Sequence, residues 1–170
     1  GQVKGEPLAS MDWLTAQSCS GLIALSGAQH GDVGRALLNG HMEQARANLA
    51  HWRKIFGDRY YIELVRTGRN GEEDCVNASL ALASEANVAV VASNDVRFID
   101  EGDFNAHEAR VCIRDGRGLA DPDRPRLYST RQYLRSTAEM QQLFADVPQA
   151  LQNTVEIARR CSFDLKLGHS

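Results

Sequence analysis

The segment Tyr60-Tyr61-Ile62-Glu63-Leu64-Val65 decides the fold class of this 170-residue chain. Its aromatic and β-branched residues are typical of a strand that fits a pleated, buried surface. A second apolar run, Val88-Ala89-Val90-Val91-Ala92, ends in Ser93-Asn94-Asp95 and predicts another strand. Between the two runs, residues 72–86 carry apolar side chains at helical spacing. The order of strand, helix and strand predicts a parallel βαβ unit.

The same alternation is visible on the N-terminal side of this unit. The short uncharged run Gly21-Leu22-Ile23-Ala24-Leu25 predicts a strand that is central in the sheet and buried on both faces. Helical spacing predicts two helices after it, over residues 32–38 and 42–56, with Asn39-Gly40 between them. We therefore expect an α/β fold in which parallel strands are flanked by helices.

The C-terminal part is less periodic. A helix is predicted over residues 104–113, and residues 114–135 predict a long ordered loop with one short element near Tyr133. Two further helices are indicated by the capping box that begins at Ser136 and by Pro148 in a first helical turn. For the last helix the spacing predicts an inward face made of Ala150, Val155, Ile157 and Ala158.

Composition excludes several classes of protein. The formal charge of -3 lacks the basic footprint of a free-standing nucleic-acid binder. The four cysteines form no CxxC pair, so reduced thiols are expected rather than a zinc knuckle or a disulfide framework. Apolar stretches are shorter than the roughly 20 residues that span a bilayer, and residues 1–5 lack the apolar core of a signal peptide. We expect a cytoplasmic chain without membrane contact, and the missing initial methionine suggests an excised segment.

Polar residues cluster where the predicted strands end. In parallel α/β folds, binding sites gather beyond the carboxyl ends of the strands. Glu63 and Asp95, joined by His30 or Asp32, are the candidate metal ligands at this rim, although two or three candidates are too few for a multinuclear centre. The plainer alternative is that both are strand-end carboxylates that pair with an arginine, for which the sequence offers Arg66, Arg69 and Arg97. The rim also includes Gln29, His30, Asp32, Thr67 and Asn94.

Two further features lie outside the predicted strands. His107, near the start of a helix, is more commonly a capping or packing residue than a ligand or a base. The span 114–135 holds six arginines against three aspartates. Such a cluster is usually a solvated face or a set of internal ion pairs, and a DNA contact is the alternative.

Five stretches, in order and with matching spacing, resemble the PHP (polymerase and histidinol phosphatase) domain of the alpha subunit of bacterial DNA polymerase III. They are residues 21–27, 58–69, 94–100, 103–108 and 153–161. The resemblance implies a TIM-like barrel that is seven-stranded when intact and carries a metal cluster at its carboxyl rim. In active members this cluster hydrolyses phosphoesters, including the 3′ ends of DNA. Residues 1–170 would then be one incomplete domain, without the opening strands that carry the first HxH ligand pair.

Departures from the family pattern fall at the metal site. Asp95-Val96-Arg97 stands where active members have a DxH ligand pair, and Thr67 stands where they have a histidine before Gly68. Ala28 occupies a position that can be a cysteine. The resemblance therefore implies a vestigial metal rim of Glu63, Thr67, Asp95 and Arg97, with Asn94 and His107 as possible supporting residues. It implies neither a catalytic residue nor a bound metal in this chain.

The missing metal ligands determine what the resemblance implies for function. The domain would be a structural platform for a proofreading exonuclease subunit, inside a parent polymerase that uses Mg²⁺ and reaches DNA through its other domains. The alternative is an active metal-dependent phosphoesterase, or 3′-5′ exonuclease, when the full domain is present. An unrelated α/β interaction domain is the third possibility. A partial barrel should also expose sheet edges, which favours pairing with another copy in a homodimer or with a loop that covers the gap.

Overall fold

The computed structural model of the chain describes residues 9–162 and residue 168, together with the backbone of residues 2–3 and 6–7. The predicted domain boundaries at residues 1 and 170 lie outside the described residues. The backbone of β1 (Gln2–Val3) pairs antiparallel with that of β2 (Glu6–Pro7). A second sheet, described next, forms the centre of the fold.

Three parallel strands make up this sheet, in the order β3 (Ala24–Leu25), β4 (Tyr60–Val65) and β5 (Val90–Ser93). Ala24 pairs with Tyr60, and Ile62 pairs with Val90. The α/β class with parallel strands and flanking helices is therefore confirmed. The seven-stranded barrel stays a prediction, because the described residues contain three parallel strands and one isolated parallel bridge, between Phe98 and Tyr133.

Six α-helices connect or flank the strands in the described residues. They are α1 (Asp32–Leu38), α2 (Met42–Phe56), α3 (Glu72–Ala86), α4 (Phe104–Asp115), α5 (Thr137–Leu143) and α6 (Pro148–Arg160). Each begins within one residue of its predicted start. The short element expected near Tyr133 corresponds to the parallel bridge with Phe98.

Local sequence explains where these helices begin and end. Asn87 ends α3 in the left-handed conformation, at a φ of 50°, which asparagine tolerates better than most residues. Ser136 accepts a hydrogen bond from the backbone N–H of Glu139, whose side chain returns to the Ser136 backbone, so α5 begins with a complete capping box. Pro148 is the first residue of α6, where its missing N–H leaves no helical bond unmade.

The central strand β4 is covered on both faces. Ile62 and Leu64 point to one face and are fully buried in a core with Leu49 of α2 and Leu82 of α3. Because side chains alternate along a strand, Glu63 points to the opposite face. The register of β4 thus places one carboxylate on the face that the helical core does not use.

Strand β3 differs from its prediction. It lies at an edge of the sheet and is two residues long, with Leu22 56% and Leu25 42% exposed, so the expected central, doubly buried strand is wrong. Within the described residues β3 pairs on one side, with β4, and has no partner strand on the other. A short apolar run predicts a strand, but it does not show whether that strand is central or at an edge of the sheet.

The inward face predicted for α6 is also largely wrong. Ala150 is buried, but Val155 is 52% exposed and Ala158 is exposed as well. The reason is that α6 covers the outer edge of β5 instead of inserting into the core. Its Asn153 donates to the Val90 carbonyl at 2.8 Å, and Thr154 donates to the Ala92 carbonyl at 3.2 Å. Of the two sheet edges, β5 is therefore covered by polar side chains of a helix while β3 is open.

Among the described residues, none of the helices combines the length and the apolar character needed to span a bilayer.

Candidate functional site at the carboxyl ends of the strands

Glu63 lies on β4 with a half-buried side chain. Its carboxylate accepts a hydrogen bond from the Ser93 hydroxyl of β5 at 2.6 Å, and its backbone N–H donates to the Ser26 hydroxyl at 2.9 Å. Within the described residues it forms no ion pair, so the alternative in which an arginine pairs with Glu63 is not what the structure shows. Ser93 thus holds the carboxylate, and Ser26 holds the backbone of the same residue.

Asp95 follows β5 and forms ion pairs with two arginines. Its Oδ2 lies 2.9 Å from Nη1 of Arg69, and its Oδ1 lies 2.7 Å from Nη2 of Arg97. The side-chain amide of Gln132 also donates to Oδ2 at 2.9 Å and to the Asp95 carbonyl at 3.1 Å. The left-handed backbone of Asp95, at a φ of 41°, is one that aspartate adopts more readily than most residues. Both carboxylate oxygens of Asp95 are therefore bound by guanidinium groups.

Arg69 is the more enclosed of these two arginines. Its side chain is 11% exposed, against 42% for Arg97. Besides Asp95, it donates from Nε to Glu72 at 2.7 Å and approaches the His30 ring at 3.3 Å. Arg97 instead lies over the Tyr128 ring, 5.4 Å from its centroid, where a cation–π contact supports it. Arg69 thus links the first turn of α3 to the end of β5.

Glu72, at the start of α3, is a buried carboxylate that the sequence did not single out. It accepts hydrogen bonds from the backbone N–H of Thr67 at 2.5 Å and from the Thr67 hydroxyl at 2.6 Å. Burial by itself raises the pKa of Glu72, but the hydrogen bonds from Thr67 and Arg69 outweigh it and hold the pKa below its ordinary value. Thr67, fully buried, therefore anchors an internal carboxylate in this structure.

Asn94 attaches the C-terminal loop to the strand ends. Its amide donates to the carbonyls of Arg131 at 3.0 Å and Tyr133 at 2.7 Å, and its oxygen accepts from Nε of Arg135 at 3.3 Å. Gln132 is fully buried beside it and also accepts from the Ser129 N–H at 2.9 Å. The side chain of Asn94 thus holds the C-terminal loop, and among the described residues it forms no hydrogen bond with Glu63 or Asp95.

His107 is separated from this hydrogen-bond network. Its ring is 7% exposed and packs at 4.7 Å from the Tyr128 ring and 5.6 Å from the Phe98 ring. Neither ring nitrogen has a hydrogen-bond partner among the described residues. Burial and the nearby Arg110 lower the pKa of His107, which favours the neutral imidazole. His107 is a packing residue, and the proposed support for the metal rim is absent from its contacts.

The arginine-rich span is stabilised mainly by internal pairs. Arg124 forms a salt bridge with Glu108 of α4, and both side chains are less than a tenth exposed. Arg117 pairs with Asp121 at 3.0 Å, and Arg135 lies 4.6 Å from the Tyr133 ring centroid. The interpretation of this span as a set of internal ion pairs fits these arginines. Arg126, which is exposed, has no such pair among the described residues.

The donors at the rim do not fit a metal ion. Residues 9–162 contain no group of three or more His, Cys, Asp or Glu side chains that could hold one. A cation at Asp95 would have to displace two arginines, and Glu63 already accepts a hydrogen bond from Ser93. We therefore derive no metal-dependent step from these residues.

Sequence reasoning missed three residues that organise the rim. Glu72 and Gln132 were not named, and Arg69 was named only as one of three possible partners. Glu72 had a weak signal, since it opens a helix five residues after Thr67 and acidic side chains favour helix N-termini. Gln132 had none, because its partner Asp95 is 37 residues distant in the chain.

Comparison with known proteins places these observations in a family. A model described as "PHP domain" matches residues 2–67. The chain is 52% identical over 168 residues to the DNA polymerase III subunit alpha of Pseudomonas aeruginosa, covering 99% of the chain and 14% of that protein. It is also 52% identical over 162 residues to the Escherichia coli K12 subunit, covering 95% of the chain and 14% of that protein.

The chain belongs with the PHP-domain segment of the DNA polymerase III alpha subunits. The Vibrio cholerae subunit supports this, with 48% identity over 168 residues, 99% of the chain and 14% of that protein. The chain thus spans about one seventh of the length of these alpha subunits. The PHP match ends at Thr67, so Asp95, Arg97 and His107 lie beyond it but within the stretch aligned with the alpha subunits.

Proposed function

We propose that this PHP segment is part of a replicative DNA-directed DNA polymerase and contributes structure and docking surfaces to it instead of hydrolysis. Identity near one half to several alpha subunits supports the first part. Nucleotide transfer and its Mg²⁺ would belong to other regions of the polymerase, since the segment corresponds to 14% of each relative. DNA would reach this segment only through the parent.

One observation carries the proposal that the metal rim is vestigial. Arg69 and Arg97 bind both carboxylate oxygens of Asp95. Asp95 stands at the first position of the DxH ligand pair of active members, and Arg97 stands at the position of the histidine. Two guanidinium groups supply the positive charge that a metal cluster would otherwise provide to this carboxylate. Because Arg69 is fixed by buried Glu72, its charge would persist even if Arg97 were exchanged for histidine.

The test uses a full-length alpha subunit that contains this segment, purified away from any exonuclease subunit. We expect less than stoichiometric zinc or manganese by mass spectrometry of metals and no metal-dependent release of nucleotides from a DNA 3′ end. Arg97→His should leave both readings unchanged, because Arg69 still pairs with Asp95. Arg69→Met combined with Arg97→His removes both arginines and should raise the metal content. One or more tightly bound ions with 3′-end hydrolysis in the unaltered protein would establish the phosphoesterase alternative.

The docking part of the proposal concerns the open edge of β3. Met11, Leu22 and Leu25, on or next to this strand, expose 42–56% of their surface. Unpaired strand edges next to apolar side chains are contact surfaces that a sheet rarely leaves free. We propose that further barrel strands of the parent polymerase cover this edge, and that a proofreading exonuclease subunit docks elsewhere on the completed domain.

A homodimer through β3 is the competing arrangement. Light scattering of the 170-residue chain distinguishes the two arrangements when a fragment carrying the alpha-subunit residues that precede the aligned stretch is added. Binding of that fragment, abolished by Leu25→Lys, supports the barrel proposal. A dimer that the fragment does not dissociate contradicts it.

A further inference from the structure

A groove lies between residues 96–99 and the first half of α4. Its volume is about 450 Å³. Apolar side chains from Val96, Phe98, Ile99 and Ala106 form its lining. Val96 is 45% and Ile99 64% exposed, although β-branched side chains beside a sheet are ordinarily covered. Clustered exposure of this kind marks a contact surface.

The wall formed by α4 is a single helical face. Asp103, Ala106 and Arg110 line the groove at spacings of three and four residues, which places them one above another. Ile113, three residues after Arg110, is 80% exposed and extends the same face. From Asp103 to Ile113 the face is about 15 Å long, which matches four to five residues of extended chain.

The charged residues that line the groove are two arginines, Arg97 and Arg110, and one aspartate, Asp103. Arg110 is exposed and forms no ion pair among the described residues, whereas Arg97, 42% exposed above Tyr128, already pairs with Asp95 at 2.7 Å. The acid at the other end, Asp103, accepts a hydrogen bond from the Asp100 N–H at 3.1 Å and belongs to the cap of the preceding turn. Buried His107 lines the same groove. Arg110, without an ion pair among the described residues, therefore stands over an apolar floor beside the paired Arg97.

We propose that this groove binds a short extended peptide in which acidic side chains alternate with apolar ones. Side chains of an extended chain point alternately to opposite sides, so a carboxylate can reach Arg110 while apolar residues contact Val96 and Ile99. This deepens the docking role proposed above and rests on it. The groove is distinct from the open β3 edge, and it lies at the other end of the described sheet.

Nucleic acid and a second copy of the chain fit the groove less well. A phosphate backbone is bound by several unpaired cations, whereas this groove holds Asp103 and an apolar floor. Base stacking needs an exposed aromatic face, but Phe98 is 8% exposed and Arg97 covers Tyr128. A second copy that docked through the same face would set Arg97 and Arg110 against their own counterparts.

Fluorescence anisotropy with a labelled peptide, acetyl-Gly-Glu-Leu-Glu-Leu-Glu-Leu-Gly-amide, tests the proposal on the 170-residue chain. We expect saturable binding that Arg110→Glu weakens by about tenfold or more through like-charge repulsion. Ile99→Ser should also weaken it, because the substitution removes apolar contact. Arg159→Glu on α6 and Leu119→Ser in the loop are the matched exposed controls, and both should bind as the unaltered chain does.

Two further probes decide among occupants. The peptide with lysine in place of glutamate and a labelled six-nucleotide DNA strand should not bind. The proposal is overturned if the acidic peptide fails to saturate, if the lysine peptide binds equally well, or if the DNA strand binds in an Arg110-dependent manner. Unchanged far-ultraviolet circular dichroism of each variant shows that it is folded. The metal content of the rim does not depend on Arg110. A negative peptide-binding result can therefore be told apart from a metal analysis that contradicts the proposed function.

Discussion

Nη1 of Arg69 lies 2.9 Å from Oδ2 of Asp95, while Nε of the same guanidinium lies 2.7 Å from Oε1 of Glu72. One enclosed arginine thus joins the N-terminus of α3 to the residue that follows β5. Arg97, the arginine that interrupts the DxH pair, contributes a second and more exposed bond to Asp95. The two bonds differ in burial, and the difference predicts unequal effects of removing them.

Arg69→Met should lower the free energy of unfolding by about 3 kcal/mol, because it leaves the Glu72 carboxylate buried without its cation. Arg97→Met should cost less than about 1 kcal/mol, as is usual for an exposed ion pair. Urea denaturation monitored by circular dichroism measures both values. Equal losses from the two substitutions would show that Arg69 has no special place in this network.

Removing Gln132 should loosen the C-terminal loop. Gln132→Ala leaves the Ser129 N–H and the Asp95 carbonyl without a side-chain partner and should cost about 2 kcal/mol. Trypsin should then cleave after Arg126 and Arg131 faster than in the unaltered chain. Gln141→Ala, on the exposed side of α5, is the control, and a similar cleavage rate in both variants would contradict the anchoring role.

Acid should remove one contribution to stability near α5. Hydrogen bonds from Tyr133 and Ser136 lower the pKa of Glu139 to about 2 from its ordinary value of 4.5. A carboxyl group whose folded pKa is lowered stabilises the fold above its unfolded pKa, and the stabilisation is lost as the pH falls through the folded pKa. Its contribution is therefore complete above pH 4.5 and disappears toward pH 2.

The corresponding experiment compares melting temperatures of Glu139→Gln and the unaltered chain. The variant should melt lower at pH 7, and the difference should vanish as the pH approaches 2. Glu156→Gln on α6, whose ion pair with Arg159 is exposed, should change the melting temperature little at neutral pH. A difference between Glu139→Gln and the unaltered chain that persists in acid would mean that charge at Glu139 is not its source.

Asn153 and Thr154 should protect the edge of β5. Asn153→Ala combined with Thr154→Val exposes the carbonyls of Val90 and Ala92, which point away from β4. We expect a loss of about 1 kcal/mol for each hydrogen bond and concentration-dependent association through the exposed edge. Light scattering measures association, with Gln152→Ala as the control on the same helix. A double variant that stays as monomeric as this control would exclude edge protection.

The sequence by itself determined the parallel βαβ order, the starts of the helices and the placing of Glu63 on one strand and of Asp95 shortly after the next. These features depend on residues close together in the chain: the spacing of apolar side chains, the Ser136 capping box and Pro148. The resemblance in five segments also gave the family, which the comparisons confirm. The contacts between residues across the rim could not be predicted from such local patterns.

Only the tertiary structure decided that β3 lies at an edge, that α6 covers β5, and that Arg69 is the enclosed partner of Asp95. Each depends on groups brought together over long separations, 26 residues for Arg69 and Asp95 and 63 for Asn153 and Val90. Arg66, Arg69 and Arg97 are chemically equivalent in the sequence. Packing alone encloses one of them against Glu72, because a buried carboxylate requires a cation and hydrogen-bond donors within reach.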